Sequence, residues 1–296
     1  MSSSVDDIPA VEKDSGSTFR PSRFVERSPG PRELHPERYD RRVRRAEAAL
    51  AWGSPTLLFV GWELASRAEL LDDRFWPPPT EVLRAGVDMF RDGYLQPHLT
   101  NTVSLLLLGY AIGALSGIVV GLLLGTMRYV RAALDPIISI FYTIPSIALL
   151  PFLLLLFGLG STPKVILVAS HVFFVVAVSV TASMRNVPAG YSEVAASVGA
   201  SPLQTFRHLT VPFILPPTIV SLRISAAMSV LVIVAIEFVQ GNQGLGYIIW
   251  NSWSLFLAQR MLVAIVIVSL IGVLFMNLVA LIGRLIAPWT RYEGRA

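Results

Sequence analysis

The sequence contains no cysteine and few charged residues. Without cysteine, disulfides, thiolate metal sites and thiol nucleophiles are excluded. Only 15% of the 296 residues are charged and 53% are hydrophobic, whereas about a quarter of the residues in a soluble domain are charged. A soluble globular protein fits this composition poorly. Because a spanning helix needs roughly 20 apolar residues, the chain has room for several spans and is predicted to be a polytopic membrane protein.

Motifs for ATP binding and for hydrolysis are also missing. Residues 158–164 contain glycines and a lysine, but they lack the Gly-x4-Gly-Lys-Ser/Thr spacing that cradles phosphates. No His-Glu-x2-His pattern, Gly-x-Ser-x-Gly pattern or clustered set of metal ligands is present. We therefore predict a chain that is not an enzyme and binds no metal or cofactor. Energy for any active process must then come from another protein.

The basic residues are concentrated at the amino terminus. The net charge of +4 comes from 24 Lys and Arg against 20 Asp and Glu, and many of the basic residues lie in residues 1–45. This segment is predicted to be a disordered cytoplasmic tail, because it has few large apolar side chains to bury. Clustered arginines directly before the first apolar run mark the cytoplasmic side of a membrane. A nucleic acid partner is not expected.

Six apolar runs follow the tail, at residues 50–66, 99–126, 137–159, 164–184, 213–239 and 261–287. Six spans return the carboxyl terminus to the cytoplasm, and Arg128, Arg131 and Arg185 fall on the cytoplasmic side in this arrangement. The predicted organisation is a transmembrane domain over 46–290 and a cytoplasmic tail over 291–296.

Two spans contain residues that are unusual in a regular helix. Span two has a glycine at every fourth position, which is typical of close helix packing; a hinge for a gate is the alternative. Span three contains Pro136, Pro145 and Pro151, which predict a kinked or irregular helix. Such a helix either lines a pathway or serves packing. The five glycines are Gly109, Gly113, Gly117, Gly121 and Gly125.

The only long polar segment on the predicted cytoplasmic side of the membrane domain is 186–212. Its first helix is predicted to begin with Ser192 as N-cap and Glu193 in the first turn, and to end at Gly199. A second short helix is expected to follow directly. The two helices would form a compact protrusion.

The second helix has its own start and stop signals. Ser201 is the predicted N-cap, Pro202 occupies the first position, and Gln204 completes a capping box. Arg207 falls in the predicted last turn, and Pro212 is expected to end the helix. A well-capped connector without further function is the simplest interpretation of these signals alone.

The spacing inside this segment is more specific than that. Glu193-Val194-Ala195, three residues, Gly199, nine residues and Leu209-Thr210-Val211-Pro212 resemble the "EAA" signature of permease subunits of binding-protein-dependent ABC importers. That signature reads Glu-Ala-Ala-x3-Gly-x9-Ile-x-Leu-Pro. The resemblance implies that the segment couples the permease to an ATPase through Glu193, Ala195, Ala196, Gly199, Ser201, Pro202, Arg207, Leu209 and Pro212.

Further segments resemble the permeases for sulfonate, taurine and nitrate. They are residues 77–80 (Pro-Pro-Pro-Thr), 98–102 (His-Leu-Thr-Asn-Thr), 134–136 (Leu-Asp-Pro), 144–145 (Ile-Pro), 157–160 (Phe-Gly-Leu-Gly), 235–237 (Ala-Ile-Glu) and 244–247 (Gly-Leu-Gly-Tyr). The resemblance implies an all-α membrane protein of about six transmembrane helices with the type I ABC importer permease fold. It also implies a cytoplasmic ABC ATPase dimer carrying ATP and magnesium, a second permease copy, and a periplasmic or lipid-anchored solute-binding protein.

Few ionisable residues lie inside the predicted spans. Pro145, Pro151 and Glu237 are candidates for a gate or pathway, although Glu237 lies near the end of its span, where it can reach water or a packing partner. His171 is predicted to be a hydrogen-bonded packing residue. A proton- or ion-coupled secondary transporter using Glu237 or His171 is the alternative to an ATP-driven importer. A receptor or scaffold is a third possibility, and it leaves the capped segment unexplained.

The favoured prediction is the permease subunit of an importer in a bacterial inner membrane, with both termini in the cytoplasm and lipid around its spans. A small anion such as a sulfonate, taurine or nitrate is the expected cargo. The family also includes carriers of pyrimidine vitamin precursors, so the identity of the solute stays open.

Overall fold

A computed structural model describes residues 36–289, with side chains from residue 43 onward. Most of the predicted amino-terminal tail and all of the predicted tail at 291–296 lie outside the described residues. The chain falls into two compact units, Met1–Leu58 and Phe59–Ala296. The described part of the first unit is the beginning of one helix, whose side chains from residue 43 onward are mostly exposed.

The described residues form helices and no β-strand. The helices are α1 (Pro36–Arg67), α2 (Pro79–Arg91), α3 (Leu95–Thr126), α4 (Arg128–Thr143), α5 (Leu150–Phe157), α6 (Ser161–Arg185), α7 (Ala189–Ser197), α8 (Pro202–Thr205), α9 (Val211–Val239), α10 (Leu245–Ser254) and α11 (Ala258–Ile286). A 3₁₀ turn at Ser146–Leu149 precedes α5, and a π-helical turn at Phe206–Thr210 joins α8 to α9.

Helix α1 begins earlier than the sequence indicates. It starts at Pro36, within the segment 1–45 that was predicted to be disordered. The alanines and arginines between Pro36 and Leu50 are good helix formers, and proline is favoured at a first helical position. The predicted span 50–66 lies inside α1, which is not among the described helices that are long and apolar enough to cross a membrane.

Four described helical segments do meet that requirement: α3, α6, the continuous run Pro202–Val239, and α11. The segments Arg128–Thr143 and Ser146–Phe157 meet it together, but they are bent by 91° relative to each other. The predicted irregularity of span three is therefore confirmed.

The bend lies at Ile144 and Pro145. Both residues have extended backbone conformations, with ψ of 123° and 116°. A residue before proline is pushed out of the α region by the proline ring, which accounts for Ile144. Pro151 falls in the first turn of α5, where a missing N–H costs no helical hydrogen bond, so it does not add to the bend.

Helix α3 packs along α6 through its glycines. A Cβ added at Gly109 would lie 2.8 Å from Val168 Cβ, and one at Gly121 would lie 2.7 Å from Val180 Cβ. One at Gly113 would collide with the Ala169 carbonyl oxygen. Successive glycines meet residues in ascending order on α6, so the two helices run parallel. Only the absence of side chains permits this close approach.

Parallel packing determines how often the chain crosses the bundle. Because α3 ends at one end and α6 begins at the other, the bent pair α4 and α5 must return across the full width. Helix α9 runs antiparallel to α3, since Tyr110 bonds Leu222 and Thr102 bonds Glu237. Helix α11 runs antiparallel to α9, because Gly283 meets Ile219 and Gly272 meets Val230. The segment from α3 to α11 therefore crosses five times.

Two ends of this bundle can now be defined. The coupling end is the end at which α6 finishes and α9 begins, with α7 and α8 between them. The distal end is the end at which α3 and α6 begin and α9 finishes. Helix α10 connects α9 to α11 at the distal end.

We expect Gly113→Leu to weaken the α3 and α6 contact, because the new side chain must displace the backbone of α6 at Ala169. Overpacking of this kind costs about 1–3 kcal/mol. The measurement is the melting temperature of the purified protein in detergent. Gly61→Leu is the matched control, because nothing lies within 4 Å of a Cβ added there. Equal melting temperatures for both variants would contradict the packing role.

Candidate functional site

Helix α7 opens the polar segment at the coupling end, and its start differs from the prediction. Pro188 is the N-cap residue and the helix begins at Ala189. The prediction of Ser192 as N-cap is wrong, because its hydroxyl lies inside the helix and donates to the Ala189 carbonyl (2.7 Å). Glu193 consequently lies beyond the first turn. The extended conformation that proline favours at residue 188 lets the helix start one turn earlier.

The end of α7 is as predicted. Gly199 has a φ of +74°, the left-handed conformation that glycine tolerates best. Its N–H donates to the Ala196 carbonyl (3.0 Å), and the Ala200 N–H donates to the Ala195 carbonyl (3.0 Å). These two bonds form a Schellman motif, which satisfies the last carbonyls of the helix and turns the chain sharply.

The capping box of α8 is confirmed. The Gln204 N–H donates to Ser201 Oγ (3.3 Å), and the Ser201 N–H donates to Gln204 Oε1 (2.8 Å). The prediction that Pro212 ends this helix is wrong, because the chain continues through the π-helical turn into α9 as one helix, Pro202–Val239. Pro212 has no N–H for the regular hydrogen bond, and the wider π turn accommodates the proline without a break.

The predicted coupling residues all lie in this segment, and most are accessible. Those that are exposed are Glu193, Ala196, Gly199, Ser201, Pro202 and Arg207, and those that are half-buried are Ala195, Leu209 and Pro212. The segment also exposes large apolar side chains, at Tyr191, Val194, Val198 and Leu203. Exposed apolar groups on a capped, rigid turn are typical of a surface that docks another protein. Of these four residues, only Val194 forms part of the signature noted in the sequence.

A second polar site lies at the distal end, where three side chains hold the first N–H groups of α10. The Gly244 N–H donates to His98 Nδ1 (3.1 Å), the Leu245 N–H to Thr102 Oγ1 (2.9 Å), and the Gly246 N–H to Glu237 Oε2 (2.9 Å). We call these residues and the three N–H groups the polar node. It joins α3, α9 and α10.

Glu237 is fully buried at the centre of the node. The Thr102 hydroxyl donates to its carboxylate, at 2.8 Å from Oε1 and 3.0 Å from Oε2. A Cβ added at Gly244 would collide with this carboxylate, and one at Gly246 would lie 2.7 Å from Glu237 Cβ. Glu237 is thus a packing partner of α10 and does not reach water. Pro145 and Pro151 lie elsewhere, so the three gate candidates are not brought together.

A cavity of about 510 Å³ lies beside the bend at Pro145, between the bent pair, α6 and α9. His171 from α6 lines it, together with Phe174 and Met228. His171 Nε2 is buried without a hydrogen-bond partner among the described residues, so the prediction of a hydrogen-bonded packing residue is wrong for that nitrogen. Pro151 is exposed and does not line this cavity.

Residues 117–290 match the family described as "Binding-protein-dependent transport system inner membrane component". This match covers more than half of the chain. The chain belongs to this family. As a member it is a multi-pass membrane permease that works with an ATPase and a solute-binding protein.

Relatives along most of the chain have similar descriptions. The taurine transport system permease protein TauC of Escherichia coli is 29% identical to this chain, and the match covers 82% of this chain and 90% of TauC. The putative aliphatic sulfonates transport permease protein SsuC of the same organism is 30% identical, over 80% of this chain and 90% of SsuC. The nitrate import permease protein NrtB of Synechocystis is 25% identical, over 84% of this chain and 91% of NrtB.

A solved structure of the MetNI methionine ABC transporter in an inward-facing conformation has the same fold. The TM-score is 0.53 with 22% identity, covering 63% of this chain and 93% of that one. The predicted fold class, an all-α protein with the type I importer permease fold, is thereby confirmed.

The polar node gives a physical meaning to three sequence segments of the permease that were noted only for their resemblance to the family. Residues 98–102 supply His98 and Thr102, residues 235–237 supply Glu237, and residues 244–247 supply the N–H groups. These segments are far apart in sequence and meet at one point. Their shared role in holding α10 could not be deduced from any one of them.

Two ionisable residues had no role predicted from the sequence. Glu63 of α1 accepts hydrogen bonds from the Thr80 N–H (3.1 Å) and hydroxyl (2.8 Å), so it satisfies the start of α2. Lys164 of α6 is 4% exposed, although it falls only three residues after the helix begins. The lysine was visible in the sequence as the one basic residue at that edge of the span, but its burial depends on how α9 packs there.

We expect Thr102→Val to destabilise the permease by roughly 1–3 kcal/mol, because it leaves both the Glu237 carboxylate and the Leu245 N–H without their hydroxyl partner. Thr181→Val is the matched control. Its buried hydroxyl bonds only backbone carbonyls of α3 and α6, and should cost much less. Thermal unfolding in detergent distinguishes the two variants, and an equal loss of stability would contradict the special role of the node.

Proposed function

We propose that the permease forms half of the translocation pathway of an ATP-driven importer for a small anion, such as a sulfonate, taurine or nitrate. The observation that carries this proposal is the coupling segment 186–212, a rigid turn with exposed apolar side chains at one end of a bundle whose sequence places it in the importer family. Relatives described as taurine, sulfonate and nitrate permeases support the choice of cargo.

The proposed assembly contains two copies of this chain and a cytoplasmic ATPase dimer. ATP and magnesium bind to the ATPase, and this chain binds no cofactor and has no catalytic role. A periplasmic or lipid-anchored binding protein delivers the solute at the distal end. Exposed apolar side chains on α4, α5 and α11 provide surface for lipid and for the second copy. The membrane is the bacterial inner membrane, and both termini are cytoplasmic.

The structure offers little support for Glu237 as the proton relay of a secondary transporter. A proton relay needs an ionisable group that faces the pathway. Glu237 is held by Thr102 and the Gly246 N–H, and it does not line the cavity beside Pro145. The geometry therefore favours an architectural role for this carboxylate.

We expect Gly199→Val to leave the membrane domain folded and to lose both ATPase co-purification and solute uptake in reconstituted vesicles. A β-branched residue resists the φ of +74° at this turn, so the docking surface changes shape. Gly93→Val is the matched control: φ is +73° there, and nothing lies within 4 Å of an added Cβ, but the residue is at the distal end. If Gly199→Val retains wild-type ATPase binding and uptake, the segment is only a connector.

The absence of native cysteine allows a clean test of the orientation. Ser201→Cys at the coupling end should react with a thiol reagent only from the cytoplasmic side, and Ser254→Cys at the distal end only from outside. Both serines are exposed, so a difference in reaction reports the side of the membrane. Reaction of Ser201→Cys with an impermeant external reagent in intact cells would overturn the proposed orientation.

A further inference from the structure

A cavity separate from the one beside Pro145 lies at the distal end, and no side chain of the polar node lines it. Its volume is about 560 Å³, within the range of small-molecule sites. The loop 241–243 and the start of α6 at Gly160 and Ser161 form its exposed rim, and Lys164 and Asn101 line it below. Nothing so far assigned to the permease explains this space.

The charge of Lys164 is the first indication of what the cavity holds. Lys164 is the one ionisable residue among the described residues that line the cavity. It is 4% exposed and makes no hydrogen bond or ion pair with any described residue. Glu237 acts on it electrostatically, but that carboxylate is already bonded to Thr102 and the Gly246 N–H. A buried cation without a contacting anion is costly and calls for a partner.

Two features beside Lys164 point the same way. Asn101 Nδ2, a donor, is buried without a partner among the described residues. Gln240 donates through Nε2 to the Gly160 carbonyl (2.7 Å), and its Oε1, which is an acceptor and does not itself favour an anion, has no described partner. The amino terminus of the 25-residue helix α6 adds positive potential at the rim. Orphan polar atoms beside a cavity indicate that it holds a polar guest.

We propose that this cavity is a binding site for a small anion at the distal mouth of the permease, with Lys164 as the charged contact and Asn101 Nδ2 as a hydrogen-bond donor. The inference rests on the proposed function for its biological meaning, because an importer receives its solute at this end. A single unclamped charge in a half-open cavity attracts an anion without holding it tightly, which suits a site that must pass its solute on.

The probes are ethanesulfonate and nitrate, which are anions, and taurine, a zwitterion that presents the same sulfonate group. Ethyl methyl sulfone, which has no charged group, is the control. The compounds are titrated into the purified complex of the permease and its ATPase, and the melting temperature is followed. At least one of the three probes should raise the melting temperature in a saturable manner, whereas the sulfone should not. The absence of saturable binding by all three probes would overturn the proposal.

Lys164→Met should weaken the binding of that anion roughly 10- to 100-fold, the loss expected for one charge-assisted contact. Arg260→Met is the matched control: it removes one positive charge at the same end, from a side chain that lies over Tyr94 and outside the cavity. It should leave the affinity unchanged. Wild-type affinity in Lys164→Met would overturn the proposal.

Ser161→Asp keeps the proposal testable if Lys164→Met does not fold. An acidic residue is favourable in the first turn of a helix, so α6 should tolerate it, but its charge at the rim should repel the anion and weaken binding about tenfold. Ser254→Asp adds the same charge at the distal end, outside the cavity. Equal effects of the two aspartates would contradict a local site.

A measurement of solute uptake distinguishes a failure of this inference from a failure of the proposed function. The wild-type complex is reconstituted with its binding protein, and ATP-dependent uptake of the same anions is measured. Anion binding that depends on Lys164, without ATP-driven uptake, would overturn the proposed function and leave the site. ATP-driven uptake with an unchanged KM in Lys164→Met would overturn the site and leave the proposed function.

Discussion

The close contact between α3 and α6 is the constraint on which the rest of the bundle depends. Five glycines at four-residue spacing let α6 pack against the backbone of α3, and their order along α6 makes the two helices parallel. Parallel neighbours require the intervening chain to return, so the bent pair α4 and α5 must cross despite its 91° break. That requirement accounts for the first three crossings, and the contacts of α9 with α3 and α11 determine the other two.

The polar node provides acceptors for backbone N–H groups that this arrangement leaves without helical partners. Helix α10 begins at the distal end with N–H groups that have no helical acceptor, and an unsatisfied group in an apolar environment costs several kcal/mol. Side chains from α3 and α9 accept three of these hydrogen bonds. The same helix α9 is continuous with the coupling segment, about 57 Å long over the 38 residues Pro202–Val239 at 1.5 Å per residue. The proposed ATPase surface and the node thus lie at opposite ends of one helix.

Local chemistry allowed good predictions from the sequence, and long-range packing did not. The capping box at Ser201, the helix end at Gly199 and the irregular third span each depend on neighbouring residues only, and all three were predicted. Ser192 is not the N-cap because the helix already begins after Pro188, a start signal that the prediction from the sequence did not take into account. Pro212 does not end the helix because the π-helical turn accommodates a residue without a backbone N–H. The burial of Lys164 and the convergence on Glu237 require knowledge of which helices pack together, which no local pattern contains.

The distribution of buried charge links these observations. In a chain with so few charged residues, Glu237 and Lys164 both lie buried at the distal end, and both are far from the coupling segment. They differ in one respect: the carboxylate has a hydroxyl and an N–H as contacting partners, whereas the ammonium has none in the part of the chain that the structure describes. Removing a charge from water is costly unless hydrogen bonds replace the lost solvation. The satisfied charge is therefore architectural, and the charge without a contacting partner among the described residues, beside an open cavity, is the one for which we propose an anion.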